Sequence, residues 1–143
     1  MKDRYLLDTN VISEFRKAKP HGAVVAWLAS LSVEQLVLPA VVIAEIQDGA
    51  EITRRQYPVK AREIEIWLDE IMASFSILPM DGQVFREWSR FMAGRSPDLA
   101  EDAMIAATAR VYDLTVATRN VKDFEAFAVR VLNPFSFSAE AKI

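Results

Sequence analysis

The chain has no cysteine and a single histidine, His21. The first absence excludes a disulfide framework, a thiolate zinc site and a cysteine nucleophile. The second excludes a metal site built from several imidazoles and argues against a serine–histidine triad. Any metal bound here is held by oxygen, a donor set that suits Mg²⁺ or Mn²⁺. Long hydrophobic runs are missing too. Pro39 and Glu45 interrupt the longest apolar stretches, well short of the ~20 residues of a membrane helix. Lys2, Asp3 and Arg4 precede only a short apolar run, which is no signal-peptide core. The expectation is a cytoplasmic protein with no membrane partner. The formal net charge is only −3, which does not advertise nucleic-acid binding. No internal repeat or low-complexity segment is visible.

What is present is a chain of 143 residues with 52% apolar content. That length reads as one domain, 1–143, large enough to bury roughly two-thirds of its unfolded surface. The apolar share is rich enough to leave a surface for a partner.

Short apolar runs alternate with helical patterns. Tyr5–Leu7 reads as a first strand, ended abruptly by Asp8. Thr9 or Asn10 is placed to cap a short helix to about Lys19, before Pro20. Val24, Val25, Leu28 and Leu31 predict a helix near 22–31, and Gln35–Leu38 a second strand. Pro39 suits a first helical position, followed by a face of Val42, Ile46 and Gly49. Pro58 opens another helix, with Ile64, Trp67, Leu68, Ile71, Met72 and Phe75 at helical spacing. Phe75–Leu78 is a short edge segment, and Asp81 caps a helix carrying Val84, Phe85, Trp88, Phe91 and Met92. After a break at Gly94-Arg95-Ser96-Pro97, the alanine-rich stretch Leu99–Tyr112 predicts a buried central helix. Leu114–Ala117 and Val129–Leu132 read as strands around a short helix near Val121–Phe127, and a loose tail is expected after Phe137. This alternation implies a parallel sheet of short strands in a three-layer α/β/α domain.

In such a sheet, ligands bind beyond the C-terminal ends of the strands. A carboxylate there costs several kcal/mol to desolvate, about what a nearby cation offsets. Asp8 is therefore a candidate ligand or nucleophile. Asp102 falls about one turn into the alanine-rich helix, where the helix dipole favours an ionised acid. It reads equally as a plain first-turn charge preference. Glu45 interrupts Val41-Val42-Ile43-Ala44 and Ile46. Taken alone, it fits the solvent stripe of an amphipathic helix, and Asp48 one turn on is a solvated neighbour. Asp98 and Glu101 fit a capping box.

Thr118-Arg119-Asn120 closes the strand Leu114–Ala117 and shares a sheet edge with Asp8. Thr118 and Asn120 either orient Asp8 and a metal-bound water or make ordinary turn hydrogen bonds. Asp123 has both readings open. His21 reads as a cap or surface residue, and Trp27, Trp67, Trp88, Phe85 and Phe91 as core or partner interface. Arg16, Lys17, Lys19, Arg54, Arg55 and Arg119 are candidate phosphate contacts, with solvated charge as the default. Without Asp8, Glu45 and Asp102 the rest of the chain is neutral. Carboxylates grouped in this way are what metal-assisted phosphodiester hydrolysis requires.

Five segments occur in order: Leu6-Leu7-Asp8-Thr9-Asn10-Val11-Ile12-Ser13-Glu14, Val41-Val42-Ile43-Ala44-Glu45-Ile46, Asp102-Ala103-Met104-Ile105-Ala106-Ala107-Thr108-Ala109, Val116-Ala117-Thr118-Arg119-Asn120 and Val131-Leu132-Asn133-Pro134-Phe135. The ordered set closely resembles VapC-type toxins of the PIN-domain ribonuclease family, in a FitB-like branch, over nearly the whole chain. The resemblance implies a PIN-like fold and a Mg²⁺- or Mn²⁺-dependent endoribonuclease. It implies inhibition by a VapB-type antitoxin, a homodimer or larger toxin–antitoxin hetero-oligomer, and operator DNA contacted only through the antitoxin. By motif match, Asp8 and Asp102 carry over as metal ligands and Glu45 as the third acid. Thr9, Asn10 and Thr118 carry over as pocket residues. Asn120 departs from the pattern, since many relatives have aspartate there. It offers a carbonyl ligand without charge, which bears on a second metal unless Asp123 or a substrate phosphate completes the shell.

Two alternatives stand beside this reading. A haloacid-dehalogenase-type phosphatase also begins with an apolar strand, an aspartate and a threonine, with Asp8 as nucleophile. That class usually needs a second carboxylate where Asn10 stands and a lysine late in the chain. A non-catalytic module of the same fold is the other.

Overall fold

The computed structural model describes residues 3–138. From residue 139 the expected loose tail lies outside the described residues. Five strands form one sheet: β1 (Tyr5–Leu7), β2 (Leu36–Pro39), β3 (Ser76–Leu78), β4 (Thr115–Ala117) and β5 (Val131–Leu132). Their order is β3-β2-β1-β4-β5, and every neighbouring pair is parallel. Parallel strands need long crossovers, and helices supply most of them. These are α1 (Thr9–Ile12), α2 (Gly22–Ala29), α3 (Ala40–Arg54), α4 (Pro58–Ser74), α5 (Gly82–Met92) and α6 (Ala100–Val111).

The chain moves outward from β1 through β2 to β3, then returns across the sheet to β4 and β5. Crossovers of parallel strands are right-handed, so this reversal puts helices on both faces of the sheet. The α/β/α layering read from the sequence is the result. α3 packs on α4, and α5 on α6. β1, β2 and β4 are covered on both sides, and Leu6, Leu7, Val37, Leu38, Val116 and Ala117 are buried. Continuous apolar strands of this kind are what a doubly covered parallel sheet requires. Below them Trp27 is buried against Tyr5, its ring edge-on at 5.1 Å.

Several boundaries differ from expectation. Asp8, not Thr9 or Asn10, caps α1. The helix then tightens into a 3-10 turn, Ser13–Arg16, and stops short of Lys19. The reason is Glu14, which turns inward. It is buried, pairs with Lys17 and accepts the His21 N–H at 2.8 Å. Pro39 ends β2 and precedes the first helical residue, Ala40. On α3, Ala50 joins Val42 and Ile46 in the core while Gly49 faces solvent. The segment after β4 is a 3-10 turn, Val121–Phe124, and β5 is shorter than expected. The expected box of Asp98 and Glu101 does not form. Ser96 caps that segment instead, accepting the Asp98 N–H at 3.3 Å. Phe85 and Met72 are exposed rather than core.

Two turns need a left-handed backbone. Gly94, after α5, has φ 75°. Asp113, after α6, has φ 55°, and the Leu114 N–H reaches the Ala109 carbonyl at 2.8 Å. That six-residue closure is a Schellman motif with aspartate in the usual glycine position.

Candidate active site

The reversal of strand order opens a crevice between the C-terminal ends of β1 and β4, where open α/β sheets bind ligands. Asp8 stands at the end of β1 and Thr118 at the end of β4. The register carries Asp8 to that point, since its N–H bonds the Ala117 carbonyl at 3.0 Å. Its side chain is nearly buried, with 7% exposure. Oδ1 accepts the Thr9 N–H at 2.7 Å. Oδ2 accepts the Thr118 hydroxyl at 2.8 Å and the Asn10 amide at 3.3 Å. Burial raises the Asp8 pKa; the bonds from Thr118, Thr9 and Asn10 oppose the rise, and the Asp123 charge adds to it.

Asn10 and Thr118 tie the two strand ends together. The Asn10 amide also donates to Thr118 Oγ1 at 3.2 Å, and Asn10 Oδ1 accepts the Arg119 N–H at 3.0 Å. Asn10 thus stands where a phosphotransfer enzyme would need its second carboxylate, and it acts as a donor to Asp8.

Glu45 enters from α3 and Asp102 from the first turn of α6, two helices in contact. Burial, then the charges of Asp8 and Glu101, lift the Glu45 pKa to about 7. Burial, then the charges of Asp8, Asp123 and Glu101, lift Asp102 to about 6. Glu45, Asp48, Glu101, Val41 and Ala44 line a cavity of about 540 Å³. Glu45 Oε1 is buried and accepts no hydrogen bond; the Thr9 hydroxyl, which opposes the rise in its pKa, is itself without a bonded partner.

From the sequence pattern alone, Glu101 reads as part of a capping box and Asp48 as a solvated neighbour. The crossing of α3 and α6 turns both onto the cavity. Their spacings of three residues after Glu45 and one before Asp102 carried no signal without that crossing. Asn120 is exposed and its side chain makes no hydrogen bond among the described residues; its N–H donates to Thr118 Oγ1 at 3.1 Å. Asp123 is the further acid whose charge reaches both Asp8 and Asp102. His21 caps α2, its Nδ1 accepting the Ala23 N–H at 3.2 Å.

The donor set is all oxygen, which fits a hard divalent cation. Asp8 keeps acceptor capacity beyond its three donors, and Glu45 Oε1 is a buried acceptor with none. Among the described residues no three acids stand ready as a closed metal cage. Mg²⁺ does not require one, since it is usually held by one or two carboxylates, waters and substrate phosphates.

Comparison with known proteins gives one consistent result. The PIN domain family matches residues 5–129. Toxin FitB of Neisseria gonorrhoeae is 36% identical over 136 residues, covering 91% of this chain and 97% of its own. VapC ribonuclease Y4jK of Sinorhizobium fredii is 34% identical over 139 residues, covering 91% and 96%. The crystal structure of FitAcB from Neisseria gonorrhoeae superposes with a TM-score of 0.78 at 37% identity, covering 93% of this chain and 99% of that one.

Proposed function

This chain belongs to the PIN-domain family, and from that premise we propose that it is the toxin of a type II toxin–antitoxin pair, a metal-dependent endoribonuclease cutting RNA phosphodiester bonds. The observation that carries this reading is the convergence of Asp8, Glu45 and Asp102 on one crevice, where the Asp8 charge raises the pKa of both others. Each of these acids disfavours ionisation of its neighbours, and a cation among them would relieve that repulsion.

Asp8 and Asp102 would hold Mg²⁺ or Mn²⁺, with Glu45 as the third acid, directly or through water. A divalent cation bound there supplies Lewis acidity to a phosphate oxygen and lowers the pKa of a water. Thr118, Asn10 and the Thr9 N–H fix the Asp8 carboxylate, so its oxygens need no reorganisation when substrate arrives. Without a metal, burial and the neighbouring acids raise the Glu45 pKa to about 7, so binding of a cation beside it would be coupled to loss of a proton. In-line attack of water on phosphorus leaves a 5′-phosphate and a 3′-hydroxyl.

A VapB-type antitoxin neutralises the chain, which itself forms a homodimer and reaches operator DNA only through that antitoxin. Exposed apolar side chains at the α3–α4 corner, Ile52, Tyr57 and Val59, support a surface for protein partners. No helix among the described residues is long and apolar enough to cross a membrane.

The test is cleavage of a labelled RNA mixture by the purified, antitoxin-free chain, with Mg²⁺ and with EDTA. Cleavage is expected with the metal alone, and Asp8→Asn abolishes it with the fold intact by circular dichroism. Undiminished cleavage by that variant sinks the site assignment. No cleavage across varied RNAs leaves the non-catalytic module.

A further inference from the structure

Arg119 differs from the other candidate phosphate contacts in its link to the acid crevice, its N–H bonding the Asn10 that holds Asp8. Lys17 is paired with Glu14, Arg54 with Glu51 and Glu65, and Arg16 lies over the Trp67 ring. Arg119 pairs with no carboxylate among the described residues. Its guanidinium lies 4.3 Å from the centre of the Phe135 ring. Phe135 is itself held in place, its N–H donating to Asn133 Oδ1 at 2.9 Å and its ring edge-on to His21 at 5.2 Å.

Arg119, Lys122, Asn120, Asn133 and Asp123 line a second cavity, of about 430 Å³. It adjoins the acid crevice, because Asp123 belongs to its wall and its charge reaches Asp8 and Asp102. Two cations and two amide side chains facing one concavity suit an anion with several oxygens. The stacked guanidinium is already ordered, so less side-chain freedom is lost when it binds.

We infer that this cavity seats a backbone phosphate of the RNA beside the scissile one, with Arg119 and Lys122 as positioning residues. The inference rests on the ribonuclease reading and assigns its substrate register.

The test uses the full chain carrying Asp8→Asn, in Mg²⁺, so that RNA is bound without being cut. The probe is a fluorescent, mixed-sequence single-stranded RNA, titrated by anisotropy at several salt concentrations. Arg119→Ala and Lys122→Ala should each weaken binding, by about fivefold for one phosphate contact, and flatten the salt dependence by about 0.7 in log–log slope. Arg119→Lys keeps the slope, and Phe135→Leu, which removes the stack alone, weakens binding while the slope holds. Melting temperatures should match throughout. If affinity and slope are unmoved in both alanine variants, the inference is overturned. Cleavage by the unmodified chain is read separately. Its absence, with Arg119-dependent RNA binding intact, defeats the nuclease reading and with it the register beside a scissile phosphate, and leaves a phosphate-binding site.

Discussion

The Thr118 hydroxyl donates to Asp8 Oδ2 over 2.8 Å and at the same time accepts from the Asn10 amide and the Asn120 N–H. One donor and two acceptor positions are all that a hydroxyl has, so Thr118 is saturated.

Thr118→Val keeps the shape and removes all of these bonds. Unsatisfied buried groups cost about 1–3 kcal/mol, so the melting temperature falls by several degrees. Loss of a group that orients a ligand typically weakens metal affinity about 10–100-fold. A Mg²⁺ titration of RNA cleavage checks it. Thr118→Ser should restore most of the affinity, and an unshifted Mg²⁺ midpoint in the valine variant would contradict the role.

The acids also set a pH dependence. Glu45 is lifted from 4.5 to about 7 and Asp102 from 3.8 to about 6. Between the ordinary and the lifted values the folded chain holds more protons than the unfolded one, so stability from these groups falls as pH rises. Without metal, the melting temperature should drop from pH 5 toward pH 8 (about the span of these shifts). Added Mg²⁺ should stabilise most at the upper end, where its ligands are ionised. Calorimetric scans with EDTA and with Mg²⁺ test this; a metal-free stability that climbs across that range would refute it.

Asp102→Asn removes one of the repelling charges. In EDTA at neutral pH the variant should melt a few degrees higher than the parent chain, while cleavage in Mg²⁺ falls about a hundredfold or more, the scale for losing a positioned catalytic group. A variant that loses stability and keeps activity would reverse the assignment.

At the α6–β4 turn, Asp113 occupies a left-handed backbone position that glycine adopts freely. Its ion pair with Arg130 at 3.0 Å is solvent-exposed and contributes little. Asp113→Gly should raise stability by about 0.5–1 kcal/mol, read as a higher midpoint in urea unfolding. A lower midpoint would show that the ion pair outweighs the backbone.

Much of this was readable in the residues. Leu6-Leu7, Val37-Leu38 and Val116-Ala117 are uninterrupted apolar pairs, and only a sheet covered on both faces buries such runs. Asp81 announced α5, and its Oδ1 does accept the Val84 N–H at 2.9 Å. What failed were features decided by distant contacts. Nothing local marks Glu14 for burial; Lys17 and the His21 N–H close over it and the first helix ends early. Ser96 outcompetes Asp98 for a cap because the chain enters α6 through a 3-10 turn, Pro97–Leu99. Glu101 and Asp48 acquire a role only where α3 crosses α6, a relation between segments about 50 residues apart that no local pattern encodes.

β1 lies at the centre of the sheet although it is made first, and its partner β4 begins at Thr115. A nascent chain therefore displays Asp8 and Glu45 long before it has Thr118 to hold the first of them. Contacts this distant in sequence form late and slowly. A translation product that ends before β4 carries Asp8, Glu45 and Asp102 but lacks Thr118 and the strand that forms the other wall of the crevice.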